Sequence, residues 1–184
     1  ADKGIRTRYS DDLVWLVYVT EDYIVSTGDW SILDAEAGWI ESELLPEDED
    51  ETYEIPRVSE QVSTLYEHCT RALDKALKFG SHGIPLMGSG DWNDGMNTVG
   101  NKGKGESVWL GWFLYKVLIG FIPLCIARED QERAIRYQDT AKAISEAIED
   151  SAWDGSWYRR AYFDDGTPLG SAQNAECRID SLSQ

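Results

Sequence analysis

Residues 88–97 hold the side chains with the clearest potential for chemistry in this chain. The segment contains two carboxylates, Asp91 and Asp94, with Trp92 and Asn93 between them. Its glycines allow backbone turns that other residues resist, and a proline just upstream keeps a helix from entering it. An indole face stacks on the apolar face of a sugar ring, while Asp and Asn side chains bond sugar hydroxyls. The segment is therefore a candidate sugar site in which one carboxyl group could also donate a proton.

Two other interpretations fit the same residues. Asp and Asn commonly bond their own backbone, so residues 91–95 also fit an ordinary turn. An EF-hand calcium loop needs a glycine at its sixth position, whereas counting from Asp91 places Met96 there. The calcium interpretation is therefore disfavoured, and no metal site is predicted elsewhere, because the cysteines and histidines lack ligand spacing.

Further motifs of the same family of sequences lie on both sides of this segment. The run 83–97 is followed by Gly-Glu-Ser-Val-Trp-Leu at 105–110, residues 4–16 contain Asp-Asp-Leu-Val-Trp-Leu, and residues 25–33, 157–162 and 176–184 complete the set. Together these motifs resemble glycoside hydrolase family 94, the inverting glycoside phosphorylases. The resemblance covers nearly the whole chain. Within the family it is strongest to the phosphorylase-like C-terminal domains of cyclic β-1,2-glucan synthases, with cellobiose and chitobiose phosphorylases more distant.

The resemblance implies phosphorolysis of β-glucosides with inversion, which releases α-D-glucose 1-phosphate. Phosphate is itself a nucleophile, so this reaction needs one general acid, whereas an inverting hydrolase also needs a base. The family's acid is the second Asp of Asp-Trp-Asn-Asp, which is Asp94 here. Its carboxyl group must stay protonated near neutral pH, as an apolar pocket with nearby negative charge favours. Trp92 is expected to line the sugar subsite, and Asp91 to fix the loop or bind a hydroxyl.

The implied fold is all-α, part of a toroid of six α-helical hairpins, with one short β-hairpin near the C-terminus. Such a toroid would bring residues 6–12, 88–97 and 176–180 to one pocket. The substrate-binding side chains predicted in these segments are Trp92, Asp91, Asn93, Arg6, Arg8, Asp11, Asp12, Arg178 and Asp180. Ion pairing is the alternative role for the three arginines. Inorganic phosphate is a co-substrate whose ligands are expected downstream of this chain, and no cofactor is predicted.

Hydrophobic periodicity predicts the elements that position these residues. Residues 13–25 and 107–126 are apolar on nearly all sides, as is typical of inner helices, and Asp11 or Asp12 can cap the first. Residues 57–79 and 131–148 have one apolar face and predict amphipathic helices. Residues 157–163 alternate large side chains before an Asp-Asp-Gly turn, which predicts a β-hairpin.

Composition predicts the domain organisation and the cellular compartment. The 42% hydrophobic content with eight tryptophans predicts one core, and the chain is expected to be a single partial catalytic domain over residues 1–184, inactive alone. Residues 41–54 carry eight acidic side chains without Lys or Arg, which predicts a solvated loop between two helices. The unpaired thiols Cys69 and Cys125 favour a reducing, cytoplasmic location, although a larger parent protein could be membrane-associated.

Charge and hydropathy limit the partners. The net charge of −17 argues against nucleic acid and anionic membranes. Residues 107–126 are long enough to cross a membrane, but Lys116 and Pro123 favour a buried helix, so no direct membrane contact is predicted. An oligosaccharide is the expected partner, with a homodimer possible. An inverting β-glucan hydrolase on the same fold and an inactive carbohydrate-binding fragment remain the alternative functions.

Overall fold

The computed structural model describes residues 3–46 and 48–184, apart from the side chain of Asp94. This part of the chain is helix-rich and also contains three small antiparallel sheets. The helices are α1 (Asp12–Thr27), α2 (Leu65–Ala76), α3 (Val108–Ala127) and α4 (Gln131–Ser151). The strands are β1 (Gly4–Thr7), β2 (Glu36–Glu41), β3 (Glu51–Glu54), β4 (Arg57–Thr64), β5 (Glu106–Ser107), β6 (Ala161–Tyr162) and β7 (Pro168–Leu169). Short 3-10 turns occupy Trp30–Asp34, Asp94–Met96 and Ser181–Ser183.

Helices α3 and α4 form the centre of the core. Leu114 and Phe121 of α3 share a buried cluster with Tyr137 and Ile148 of α4, and α1 and α2 pack against the same cluster. Among the described residues, α3 alone is long and apolar enough to cross a membrane by length and composition, and here it packs against α1 and α4. Cys69 lies in this core as predicted, and burial raises the pKa of its thiol to about 11.

The helix ends follow local side-chain chemistry. Thr64 and Glu67 form a capping box at the start of α2, in which each side chain accepts a backbone N–H of the other residue. Ser107 caps α3 by accepting the N–H of Leu110 at 3.0 Å. Helix α1 ends at Gly28, whose φ of 71° suits a residue without a Cβ atom.

The helix predicted over residues 57–79 is correct only in its second half. Residues 57–64 form β4, which pairs antiparallel with β2, and α2 begins at Leu65. Val58 and Val62, which lie on the apolar face of the helix predicted over 57–79, are mostly exposed on this two-stranded sheet. Their spacing of four residues fits a helix face and also one face of a strand, where β-branched residues are favoured.

The acidic segment 41–54 differs from the predicted loop. Glu41 ends β2, and β3 pairs with β1 from Gly4 opposite Glu54 to Thr7 opposite Glu51. The connection between β2 and β3 therefore covers only residues 42–50 and joins two strands rather than two helices. Glu47, which belongs to this connection, lies outside the described residues.

The predicted C-terminal hairpin is present as β6 and β7, closed around residues 163–167. Its strands are shorter than expected, and β6 also pairs with β5, so that Ser107 lies opposite Ala161. This pairing places the residues before β6 directly behind the segment 88–97. The all-α prediction with one C-terminal hairpin is thus right about the dominant helices and the hairpin, but it missed the sheets β1-β3 and β2-β4 and the pairing of β5 with β6.

Candidate active site

Two consecutive turns shape the segment 88–97. The N–H of Asn93 donates to Asp91 Oδ1 at 3.1 Å, and the N–H of Gly95 donates to Asn93 Oδ1 at 3.1 Å. The second bond caps the 3-10 turn Asp94–Met96. The backbone of Asp94 therefore follows directly from two side chains that bond their own chain, as the turn interpretation anticipated. The side chain of Asp94 lies outside the described part of the structure.

Asp91 is fully buried behind this turn. Its carboxylate accepts from Arg160 Nη2 at 2.6 Å and from Ser107 Oγ at 2.6 Å, in addition to the N–H of Asn93. The Asp91–Arg160 ion pair has no exposure on either side chain. A buried carboxylate that accepts from a guanidinium group and two further donors is held in one orientation. Asp91 therefore faces the protein interior in this structure.

Residues 9–12 pack against the same segment. Ser10 donates to the carbonyl oxygen of Gly90 through both its N–H and its Oγ, each at 3.0 Å. Asp11 is buried and accepts from Trp15 Nε1 at 2.7 Å rather than capping α1 with its side chain. Burial raises the pKa of Asp11, and the nearby negative charges add to this effect. Asp12 is exposed at the helix start and accepts from the hydroxyl group of Thr7.

The structure places the three predicted arginines away from these carboxylates. Arg6 Nη1 donates to Ser42 Oγ at 2.6 Å, and Arg8 donates to carbonyl oxygens of residues 45, 46 and 49. Both side chains therefore hold the 42–50 connection. Arg178 is exposed and donates to the carbonyl oxygen of Asn174 at 2.9 Å. The expected clustering of Arg6, Arg8 and Arg178 with the carboxylates is not what the structure shows, and Arg160 supplies the positive charge instead.

An aromatic surface extends from the loop along α3. Trp92 is 55% exposed, and its ring centroid lies 6.2 Å from that of Trp109 in the first turn of α3. Trp109 stacks on Phe113 at 5.4 Å, and Phe113 contacts Trp15 at 4.5 Å. Trp15, Trp109 and Phe113 line one side of an open groove of about 570 Å³, whereas Trp92 lies outside its lining. Exposed indole faces beside polar groups suit the apolar face of a sugar ring.

Sequence reasoning missed the groups behind the loop. Arg160 and Ser107 bond Asp91, and the carboxylate of Glu106 is buried within 2.5 Å of His82 Nδ1. Side chains of successive strand residues point to opposite faces. In the strand predicted over 157–163, one of Arg159 and Arg160 would therefore face inward, but the alternation does not indicate which. Asp180 lies 3.8 Å from Arg160 Nε, which connects residues 176–180 to the same network. Within the described residues, no group of three or more His, Cys, Asp or Glu side chains could hold a metal.

The chain can now be compared with known proteins. All of residues 1–184 match the family model described as the glycosyl hydrolase 94 superfamily, catalytic domain. The chain belongs to this family. The resemblance stated from the sequence motifs is therefore confirmed, and the helix-rich structure is compatible with the helical fold of the glycosyl hydrolase 94 superfamily.

Several curated relatives of this glycosyl hydrolase 94 chain are glycan-processing enzymes. The chain is 47% identical over 184 residues to the cyclic beta-(1,2)-glucan synthase NdvB of Rhizobium meliloti (strain 1021), which covers 100% of this chain and 6% of the relative. It is 32% identical over 173 residues to a 3-O-beta-D-glucopyranosyl-beta-D-glucuronide phosphorylase of Paenibacillus borealis, covering 94% and 20%. It is 30% identical over 179 residues to an N,N'-diacetylchitobiose phosphorylase of Vibrio furnissii, covering 96% and 20%. The chain thus spans a fifth or less of the length of these relatives.

Proposed function

We propose that the protein carrying this segment is an inverting β-glucoside phosphorylase with Asp94 as its general acid. The observation that carries the proposal is the division of roles within the Asp-Trp-Asn-Asp turn. Asp91 is buried and committed to Arg160 and Ser107, so the second carboxyl group of the turn is the one left to donate a proton. Family membership and the phosphorylase relatives support the same reaction class.

The proposed reaction is a single displacement. Asp94 gives its proton to the glycosidic oxygen while a phosphate oxygen attacks the anomeric carbon from the opposite face. The bond from the anomeric carbon to the glycosidic oxygen breaks, the configuration inverts, and the shortened sugar leaves as an alcohol. The newly formed phosphate ester loses its proton to water, and the Asp94 carboxylate takes a proton from water before the next turnover. The products are α-D-glucose 1-phosphate and a sugar with a free hydroxyl group.

The surrounding side chains take the binding roles in this proposal. Trp92 offers its exposed face to the glucosyl ring, and the side chains of Asn93 in the loop and of Asp12 at the exposed start of α1 can bond hydroxyl groups. Sugar binding by Asp11, Arg6, Arg8, Arg178 and Asp180 stays a prediction. The likeness to a cyclic β-1,2-glucan synthase favours β-1,2-linked glucose as the substrate.

We also propose that these residues are one part of a larger α/α toroid of six hairpins. Apolar side chains on α1 and α3, such as Val19 and Ile119, are exposed in the described structure, as expected of helices with further neighbours. The relatives are several times longer than this chain. The predicted cytoplasmic location and homodimer remain predictions.

The function is tested by phosphate dependence in the full-length protein. With sophorose as substrate, we expect glucose 1-phosphate to form in proportion to added inorganic phosphate, with little free sugar in its absence. An inverting hydrolase would release two equivalents of glucose without phosphate. A carbohydrate-binding protein would give saturable binding heat and no product. Either outcome would reject phosphorolysis.

The acid assignment is tested by Asp94→Asn in the same protein. We expect kcat for sophorose phosphorolysis to fall by about 10²–10⁴-fold, since general acid catalysis contributes this much. Asp165→Asn is the matched control, because Asp165 is an exposed turn carboxylate that accepts the N–H of Thr167 in its own hairpin. Unchanged activity in Asp94→Asn would mean that another group donates the proton.

A further inference from the structure

We propose that Arg160 is a positioning residue for the reaction: through Asp91, it holds the backbone turn that carries Asp94. This inference rests on the proposed function for its catalytic consequence, and on the described contacts for its structural basis. Arg160 does not face the candidate sugar surface, since its side chain is fully buried. Any effect on catalysis must therefore pass through the groups that it bonds.

Arg160 contacts three separate parts of the chain. Its Nη2 donates to Asp91 Oδ1 at 2.6 Å, and its Nη1 donates to Ser107 Oγ at 3.3 Å. Its Nε makes no hydrogen bond within the described residues and lies 3.8 Å from Asp180 Oδ2. One guanidinium group thus joins the loop, the start of α3 and residues 176–180. A planar group with several fixed donors can do this, whereas the compact ammonium group of lysine cannot reach all three.

The contact with Asp91 continues to the turn of Asp94. Asp91 Oδ1, the atom that Arg160 bonds, also accepts the N–H of Asn93 at 3.1 Å. The side chain of Asn93 then accepts the N–H of Gly95 and caps the 3-10 turn that begins at Asp94. Displacement of the Asp91 carboxylate therefore shifts the backbone on both sides of Asp94.

The backbone of Arg160 is a firm anchor for this arrangement. Its N–H donates to the carbonyl oxygen of Leu169 at 2.8 Å, and its carbonyl oxygen accepts from Val108 at 3.2 Å. Gly170 packs so closely on Arg160 that a Cβ atom there would lie 2.8 Å from the Arg160 nitrogen. Arg160 is thus held by β7 and by the first residue of α3, two elements that belong to the core side of the site.

The neighbouring arginine provides a matched control. Arg159 pairs with Asp154 at 2.7 Å and donates to the carbonyl oxygen of Ser151 at 2.8 Å, so it serves the end of α4. It contacts neither Asp91 nor Ser107 in the described structure. Arg159→Lys and Arg160→Lys are therefore the same chemical change at adjacent positions, only one of which is connected to the loop.

The test compares two substrates that differ in their need for an acid. A β-linked glucobiose needs protonation of its leaving oxygen, whereas 2,4-dinitrophenyl β-glucoside releases a stable anion without it. In the full-length protein, we expect Arg160→Lys to lower kcat on the glucobiose by about 10²-fold, with KM little changed, because the acid is displaced. On the activated glucoside we expect a loss of less than about fivefold. Arg159→Lys should stay within about twofold of wild type on both.

An equal loss on both substrates would show a merely structural role for Arg160, and no loss on either would show no role. Both results overturn the inference. If Arg160→Lys fails to fold, the double variant Arg160→Met with Asp91→Asn takes its place, since it leaves no unpaired buried charge, and the same leaving-group dependence is expected.

Amide hydrogen exchange separates this inference from the proposed function. If wild type makes no glucose 1-phosphate from either substrate, the phosphorylase proposal fails, but the effect of Arg160 on the turn is still measured. We expect the amides of Asn93 and Gly95 to exchange at least about tenfold faster in Arg160→Lys, and at the wild-type rate in Arg159→Lys. Unchanged exchange in Arg160→Lys would overturn the positioning role.

Discussion

Removing the Asp91 carboxylate should destabilise the protein more than removing the whole ion pair. In Asp91→Ala, Arg160 loses the one charged partner that lies at hydrogen-bond distance among the described side chains, while its guanidinium group stays fully buried. Ser107 loses an acceptor for its hydroxyl group, and the N–H of Asn93 loses its turn partner. The unpaired charge accounts for most of the expected loss.

The magnitude follows from these contacts. Breaking a buried ion pair from one side costs about 3–5 kcal/mol, because the remaining charge stays buried without compensation. Asp180 lies 3.8 Å from Arg160 Nε and is partly solvated, so it offsets only a small part of this cost. Asp91→Asn combined with Arg160→Met removes both charges and keeps an acceptor for Ser107. We expect this double variant to be more stable than Asp91→Ala by about 1–3 kcal/mol.

Urea denaturation followed by tryptophan fluorescence measures these free energies of unfolding. The single variants Asp91→Asn and Arg160→Met and their double variant close a cycle. The expected result is strong non-additivity: the double variant should lose much less free energy of unfolding than the two single variants lose together. If the two losses simply add, Asp91 and Arg160 do not act as a coupled buried pair, and the description of the loop support is wrong.

Three further predictions test other parts of the structure. Thr64→Ala removes the capping box of α2 and should lower the free energy of unfolding by about 1 kcal/mol in urea denaturation, whereas Thr64→Ser should change it little. Gly120→Ala would place a Cβ atom against the carboxylate at the end of the Glu21 side chain, which can rotate away, so we expect the free energy of unfolding to change by less than about 1 kcal/mol in urea denaturation; a larger loss would show that the Glu21 carboxylate is fixed against α3. The pKa of Asp164 lies below its ordinary value of 3.8, because burial raises it less than three backbone N–H groups of residues 102–105 lower it. The Asp164 carboxylate therefore stabilises the fold fully at pH values above its pKa in the unfolded chain, and this stabilisation is lost as pH falls through its pKa in the folded protein. The Tm difference between wild type and Asp164→Asn should accordingly shrink on acidification below about pH 4.

Helix positions were the most predictable part of the fold. Helix α3 is apolar on all sides over its whole length, and α4 has one apolar face with helical spacing. The predicted bounds of both helices therefore lie within a few residues of the observed ones. The region 57–64 was misassigned because Val58 and Val62 fit a helix and a strand equally well, and pairing with β2 decides between them. Such pairing is tertiary information that local periodicity does not contain.

The candidate site was predictable at the loop but not behind it. The sequence predicted a turn with polar side chains from its glycines, Asp91 and Asn93, and the structure contains this turn. The partner of Asp91 could not be found, because Arg160 is 69 residues away and reaches the loop only through the pairing of β5 with β6. Arg6 and Arg8 were nearer in the expected arrangement, yet carbonyl groups of the 42–50 connection hold them instead.

The most direct test of the central claim is the anomeric configuration of the first product. The full-length protein would be incubated with sophorose and inorganic phosphate, and the anomeric proton of the product followed by NMR from the first turnovers. Phosphorolysis with inversion predicts α-D-glucose 1-phosphate at one equivalent per bond cleaved, formed about 10²–10⁴-fold more slowly in Asp94→Asn. The β-anomer of glucose 1-phosphate, or free glucose as the first product, would contradict the account.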